Sequence, residues 1–294
     1  MSSKNRVRYI ATAAVATAAM AMGVAGCATS AATATSTGQT GPHHASTVPM
    51  HPSVPAGSVA PSPTSPPARI PAAGTPTASA AAKGAVPAKG AIPSSFTKVS
   101  EGGPHTVNIT IDDGPSPVWT PKILSVLAQN HAKATFCMIG KNAAKYPDLV
   151  KDVVKAGNRL CDHSLNHDMT MSRKSASYQS QEILEGQAFI DKAAGGTAKA
   201  QYYRAPGGAF TPTSRQIAAA HGMRPLGWDI DPKDWSRPGT ESIINTVKHE
   251  LSNGPIILFH DGGGIRSQTV SALQHLLPWL KQHGYGVSFP SQAG

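Results

Sequence analysis

The chain reads as an α/β protein whose residues 100–294 form a distorted or reduced (β/α) barrel of about seven parallel strands. Three observations lead there. β-rich runs alternate with helical patterns from residue 100 onward. Repeated strand–helix units imply parallel strands joined by right-handed crossovers. About seven units in this length are too few for a full eight-unit barrel; a doubly wound open sheet is the second choice.

In chain order, residues 107–111 are a β-rich run ending at acids. Thr120-Pro121 reads as an N-cap and first helical residue, followed by apolar Ile123, Leu124 and Leu127. Residues 134–139 read as a strand, 147–156 as a helix and 158–161 as a short strand. Residues 177–193 carry Ile183, Leu184 and Ile190 at helical spacing. Further strands are expected at 201–204, 224–228, 255–259 and 286–289, separated by helices at 214–221, 241–251 and 269–283.

The chain before residue 100 has another character. Lys4, Arg6 and Arg8 precede an apolar run from Ile10 to Val24, closed by Val24-Ala25-Gly26-Cys27. This reads as a bacterial lipoprotein signal, residues 1–27, with Cys27 acylated at the new N-terminus. The run is too short and Ala-rich for a transmembrane helix. Residues 28–99, rich in Ala, Pro, Ser and Thr, bury too little apolar surface to offset ordering entropy and read as a disordered tether. The expected location is extracytoplasmic, anchored to the bacterial cell membrane by lipid. Residues 1–99 hold seven Lys or Arg and no acid, which leaves 19 bases against 16 acids and a net of +3 for the rest. Most of the +10 total therefore lies in the tail, which argues against a nucleic-acid partner.

Five segments carry reactive residues, and each follows or closes an expected strand: Thr110-Ile-Asp112-Asp113-Gly114-Pro115, His163-Ser-Leu-Asn-His167, Arg204-Ala-Pro206-Gly207-Gly208, Asp231-Pro-Lys-Asp234-Trp235 and Leu258-Phe-His260. Taken singly, they read as surface histidines, a turn or structural ion pairs. Together at the strand ends they stand where parallel α/β folds place active sites.

In these motifs, their order and their spacing, the chain resembles the polysaccharide deacetylases of carbohydrate esterase family 4, the NodB-homology domain, from about Thr106 to Phe289. The resemblance implies a distorted (β/α) barrel, one divalent metal, usually zinc with cobalt as an alternative, and hydrolysis of acetyl groups on sugars. It makes Asp113, His163 and His167 the metal ligands and Asp112 the general base that takes a proton from water, oriented by Arg204. His260 matches the acid that protonates the leaving group. Asp231 matches the carboxylate that holds His260 and raises its pKa. The Gly207 amide would stabilise the oxyanion, and Trp235 and Leu258 would line the acetyl pocket. Mixed imidazole and carboxylate ligands suit catalytic zinc.

The expected substrate is an N-acetylated polysaccharide, of peptidoglycan or chitin type, acted on by a monomer. An acetylxylan O-esterase would use the same residues. A sugar- or metal-binding lipoprotein without catalysis would leave Arg204, Asp231 and His260 unexplained. Two departures stand out. Gly207 occupies a place where the family often has an aromatic residue, which bears on substrate preference. Ile111 stands where Phe is common, a core exchange. Cys137 and Cys161 fall on consecutive expected strands and can form a disulfide if the registers match.

Overall fold

The computed structural model describes residues 91–293. Its seven strands are β1 (Thr106–Asp112), β2 (Thr135–Met138), β3 (Arg159–Asp162), β4 (Ala200–Tyr203), β5 (Arg224–Pro225), β6 (Ile256–His260) and β7 (Gly286–Ser288). They form one parallel sheet in the order β5-β4-β3-β2-β1-β6, with β7 paired to the start of β1. An isolated parallel bridge from Ile230 to Ile257 of β6 brings the segment after β5 back to the other end of the sheet. The reduced barrel expected from the sequence is the observed architecture.

Alternation along the strands separates two environments. On β1, Val107, Ile109 and Ile111 are buried in the main apolar core. The intervening Asn108, Thr110 and Asp112 are also buried, and form the polar face that leads to the site. Cys137, Cys161, Tyr202, Leu226 and Ile256 form a second, smaller buried cluster. Cys137 and Cys161 are register partners on β2 and β3 and are joined by a disulfide.

The helices are α1 (Trp119–Gln129), α2 (Gly140–Lys145), α3 (Pro147–Lys155), α4 (Ala176–Ala193), α5 (Pro212–Ala220), α6 (Thr240–Glu250) and α7 (Ser267–Gln282). Three differ from expectation. The first begins at Trp119, so Thr120 lies inside it. Ser116 Oγ accepts the Val118 and Trp119 N–H groups there, while the Thr120 hydroxyl accepts the Ser116 N–H and donates to Asp261. Helix α2 was not foreseen: six residues are too few to show an apolar period. Helix α5 begins with a reciprocal capping box between Thr211 and Ser214, ahead of the residue where the sequence pattern placed its start.

The boundary expected at residue 99 also shifts. Phe96 packs edge-on against Phe210, Thr97 bridges Leu226 and Ser100 bridges Pro290. Residues 94–99 are therefore part of the folded unit, because the contact of the half-exposed Phe96 with Phe210 and two backbone pairings outweigh the low-complexity character of the chain before them. Cys27, the signal at 1–27 and most of the tether lie outside the described residues. Among the described residues no helix is long and apolar enough to cross a membrane.

Candidate active site

Asp112 is the last residue of β1, and Asp113 turns away from it in a left-handed conformation at φ 74°. The break in backbone direction lets two adjacent carboxylates serve different neighbours. Asp112 Oδ1 accepts from Arg204 Nη1 at 2.6 Å, and both side chains are almost wholly buried. Arg204 also donates through Nη1 to Thr110 Oγ1, through Nε to the Leu226 carbonyl and through Nη2 to the Gly227 carbonyl. Four hydrogen bonds thus hold this guanidinium, two from β1 and two from the segment that follows β5. Burial raises the Asp112 carboxyl above its ordinary value, while the charges of Arg204 and His260 and the hydrogen bond from Arg204 oppose the rise.

His163 and His167 sit on the loop after β3. Ser164 and His167 are left-handed, at φ 66° and 58°, and Ser164 Oγ accepts the His167 N–H. This tight reversal sets the two rings 4.8 Å apart. Helix α2 supports the loop: its Gly140 and Lys141 N–H groups bond the Ser164 and Leu165 carbonyls, and Asn142 Nδ2 bonds the Asp113 carbonyl. The position of Asp113 beside both histidines follows: its Oδ1 is 3.5 Å from His163 Nε2 and 3.3 Å from His167 Nε2.

These three residues fit a metal on two grounds of their own. Ligand atoms of Asp113, His163 and His167 all lie within 4.8 Å of one another. Asp113 Oδ1 is buried and has no hydrogen-bond partner, a state a carboxylate oxygen does not keep unless something else satisfies it. His163 also has the expected supporting bond, from Nδ1 to the Arg204 carbonyl at 2.7 Å, which leaves Nε2 facing the cluster with its lone pair. Burial holds the His163 pKa down to about 3, against the charge of Asp113, so the ring is neutral.

His260 ends β6 and is the register partner of Asp112. The sequence reading assigned its supporting carboxylate to Asp231, and the structure corrects this to Asp234. Asp234 Oδ1 accepts from His260 Nδ1 at 2.7 Å, and its Oδ2 accepts the His260 N–H and the Thr269 hydroxyl. Asp231 instead folds onto the Lys233 N–H. The reason is local backbone: Lys233 is left-handed at φ 54°, and the 3₁₀ turn Asp234–Ser236 that follows carries Asp234 inward until it is buried. The motif contained both acids, and their spacing alone could not distinguish them. Burial lowers the His260 pKa, but the hydrogen bond and charge of Asp234, then the charges of Asp112 and Asp113, outweigh it and bring the value to about 9.

Asp112, Asp113, His163, His167, Arg204 and His260 all line one cavity of about 400 Å³. Gly207, Trp235, Leu258 and Asp231 line it as expected, with Trp235 half exposed at the rim. Two lining residues were missed. A Cβ on Gly207 would come within 2.5 Å of Met169 Cε, and one on Gly208 within 2.5 Å of the Trp228 ring, so Met169 and Trp228 occupy the space that the paired glycines leave. Neither has a sequence signal beyond its neighbourhood to a motif. Asp261, immediately after His260, was also missed. Its carboxyl is buried against the Thr120 hydroxyl and is raised by burial, and further by the charges of Asp113 and Asp112, to about 7.

The polysaccharide deacetylase family model matches residues 100–226. A peptidoglycan-N-acetylglucosamine deacetylase of Bacillus cereus is 41% identical over 181 residues, 61% of this chain and 83% of the relative. A chitooligosaccharide deacetylase of Sinorhizobium fredii is 35% identical over 62% of this chain and 89% of its own. Among solved structures, a family 4 carbohydrate esterase from Streptomyces lividans in complex with acetate superposes with TM-score 0.59 and 32% identity, covering 64% of this chain and 94% of that one. A carbohydrate esterase family 4 pseudoenzyme from Bacillus anthracis gives TM-score 0.58 at 27% identity; the match covers 63% of each chain, so this protein spans under two thirds of that one. With the fold, the motifs and these relatives in agreement, the chain belongs to the polysaccharide deacetylase family, carbohydrate esterase family 4.

Proposed function

We propose that this protein removes N-acetyl groups from a polysaccharide of N-acetylglucosamine, in peptidoglycan or a chitin-type polymer. The observation that carries the reading is the pair of buried, differently supported groups in register on β1 and β6: Asp112 held by Arg204, and His260 held by Asp234. One is a carboxylate poised to accept a proton and the other an imidazolium poised to give one, the division that amide hydrolysis needs. The names of the relatives support the sugar and the acetyl group.

Asp113, His163 and His167 would hold the divalent metal, for which zinc is the first choice and cobalt an alternative. When bound, the metal supplies Lewis acidity toward the acetyl carbonyl and toward water. The chain's own residues do the rest. Asp112 takes a proton from the attacking water, and Arg204 fixes the direction of its carboxylate. The Gly207 N–H, from a residue on the cavity wall, donates in this reading to the carbonyl oxygen as negative charge develops there. His260, with Nδ1 committed to Asp234, presents Nε2 and protonates the departing sugar nitrogen. The C–N bond breaks, and acetate and a free amine result. Trp235 and Leu258 close the apolar side of the cavity, where an acetyl methyl would sit.

The working location proposed is the outer face of the bacterial membrane, through an acyl chain on Cys27. The disulfide between Cys137 and Cys161 supports an oxidising compartment. The test of function is acetate release across N-acetylated and O-acetylated polymers, before and after chelation. Release from N-acetylglucosamine polymers, abolished by chelator and restored by zinc or cobalt, is expected. Full activity after exhaustive metal removal refutes the metal assignment, and release from O-acetylated xylan alone refutes the substrate.

A further inference from the structure

Residues just before the first motif, which nothing in the motif set involves, grip the part of the chain that holds Arg204. Thr97 is buried and lies alongside the end of β5. Its N–H donates to the Pro225 carbonyl at 2.9 Å, and its own carbonyl accepts the Gly227 N–H at 3.3 Å. Lys98 pairs with Asp229 at 3.3 Å. Upstream, Ser95 Oγ accepts from Arg224 Nη2, and Phe96 is wedged between Phe210 and the Arg215 guanidinium. The stretch from Arg224 to Asp229 is therefore held at both ends by residues 95–98.

That same stretch supplies the two carbonyls, of Leu226 and Gly227, that bind Nε and Nη2 of Arg204. The remaining nitrogen, Nη1, donates to Asp112. Three hydrogen bonds in series thus connect Thr97 to Asp112: Gly227 N–H to the Thr97 carbonyl, Arg204 Nη2 to the Gly227 carbonyl, and Arg204 Nη1 to Asp112. β5 itself is only two residues long, so little of its own pairing holds this stretch in place. A planar guanidinium anchored at two nitrogens has its third arm aimed, which a carboxylate base requires if it is to face one water.

We propose that Phe96, Thr97 and Lys98 are positioning residues for the reaction, acting through the carbonyls of Leu226 and Gly227 to fix Arg204 against Asp112. The proposal rests on the reading of Asp112 as base and Arg204 as its partner. It assigns a catalytic contribution to the last residues of what composition alone marks as tether.

The test uses the full chain and a soluble N-acetylglucosamine oligomer. Thr97→Pro removes the N–H that bonds the Pro225 carbonyl. It is expected to lower kcat about 10- to 100-fold, the scale of a small misplacement at a reacting group, with KM and bound zinc unchanged. Phe96→Ala lowers kcat in the same direction, and Phe96→Tyr, which keeps the ring, restores it. In an Arg204→Lys background, where a lysine has no second arm for the two carbonyls to hold, Thr97→Pro costs about 2-fold or less, the mark of two changes on one path. Wild-type kcat in both Thr97→Pro and Phe96→Ala overturns the proposal, even where the melting temperature falls. So does a full penalty of Thr97→Pro in the Arg204→Lys background, which makes the effect one of general folding. If Arg204→Lys alone leaves kcat unchanged, the reading of the site itself fails, which the single Arg204 variant reveals independently of the other changes.

Discussion

Replacing Asp234 by Asn keeps a hydrogen-bond acceptor beside His260 and removes the charge. In the folded protein His260 titrates at about 9 because Asp234 contributes the largest effects opposing burial. Without that charge, burial works against only the more distant Asp112 and Asp113, and a metal on Asp113 would offset part of that help. The His260 value then falls toward its ordinary 6.5. At pH 8 the protonated fraction drops from about nine-tenths to about one-thirtieth, a loss of roughly 30-fold in the acid form, while at pH 6 the change is less than about 2-fold. The basic limb of the kcat/KM profile should therefore move down by about two units or more, measured as acetate release from pH 5.5 to 9.5. Stability follows the same sign. A folded-state value above the ordinary one means that the pair stabilises fully below pH 6.5 and that this contribution fades as pH rises through about 9. Asp231→Asn should leave the limb in place, since that carboxylate only caps the Lys233 N–H. A pH-independent loss in Asp234→Asn, or a shifted limb in Asp231→Asn, would refute the reasoning.

Three other outcomes are expected. Asp112→Asn should retain bound metal and lose roughly 10²–10⁴-fold in turnover, the usual worth of a general base, whereas Asp113→Asn should lose metal; metal analysis beside turnover separates them, and the opposite pattern reverses the roles. Gly186→Ala places a Cβ 2.5 Å from Asp162 Oδ1 and 2.9 Å from the Leu165 backbone nitrogen. It should cost on the order of 1–3 kcal/mol, as overpacking does, and weaken zinc binding by shifting the His163–His167 loop; unchanged melting and zinc affinity would show that the close approach of α4 at Gly186 does not set that loop. Cys27→Ser should free the protein from the membrane fraction with turnover on a soluble substrate unchanged, and a variant still sedimenting with membranes would dismiss the acyl anchor.

Much of this protein is legible in one dimension because parallel strand–helix units repeat a simple pattern and deliver their strand ends to one side. Val107, Ile109 and Ile111 alternate with polar residues whether or not the fold is known, and the barrel follows from the repeated strand–helix units and their count. The pairing of Cys137 with Cys161 was open, since it depends on register, a relation between strands that neither strand encodes alone. Asp112, Asp113, His163, His167, Arg204 and His260 are each the residue that ends or follows a strand, so their convergence was readable from position. What tertiary structure decided lies where the backbone leaves regular geometry. The left-handed turn at Lys233 exchanged Asp231 for Asp234, and the left-handed Asp113 separated two neighbouring carboxylates. Gly207 and Gly208 admitted Met169 and Trp228 from distant parts of the chain. Residues 94–99 close the low-complexity stretch with only Phe96 to mark them in sequence, and the facing surface of Phe210, Leu226 and Asp229 makes them part of the fold. Periodicity records which face of an element is buried; it carries no record of which partner waits there.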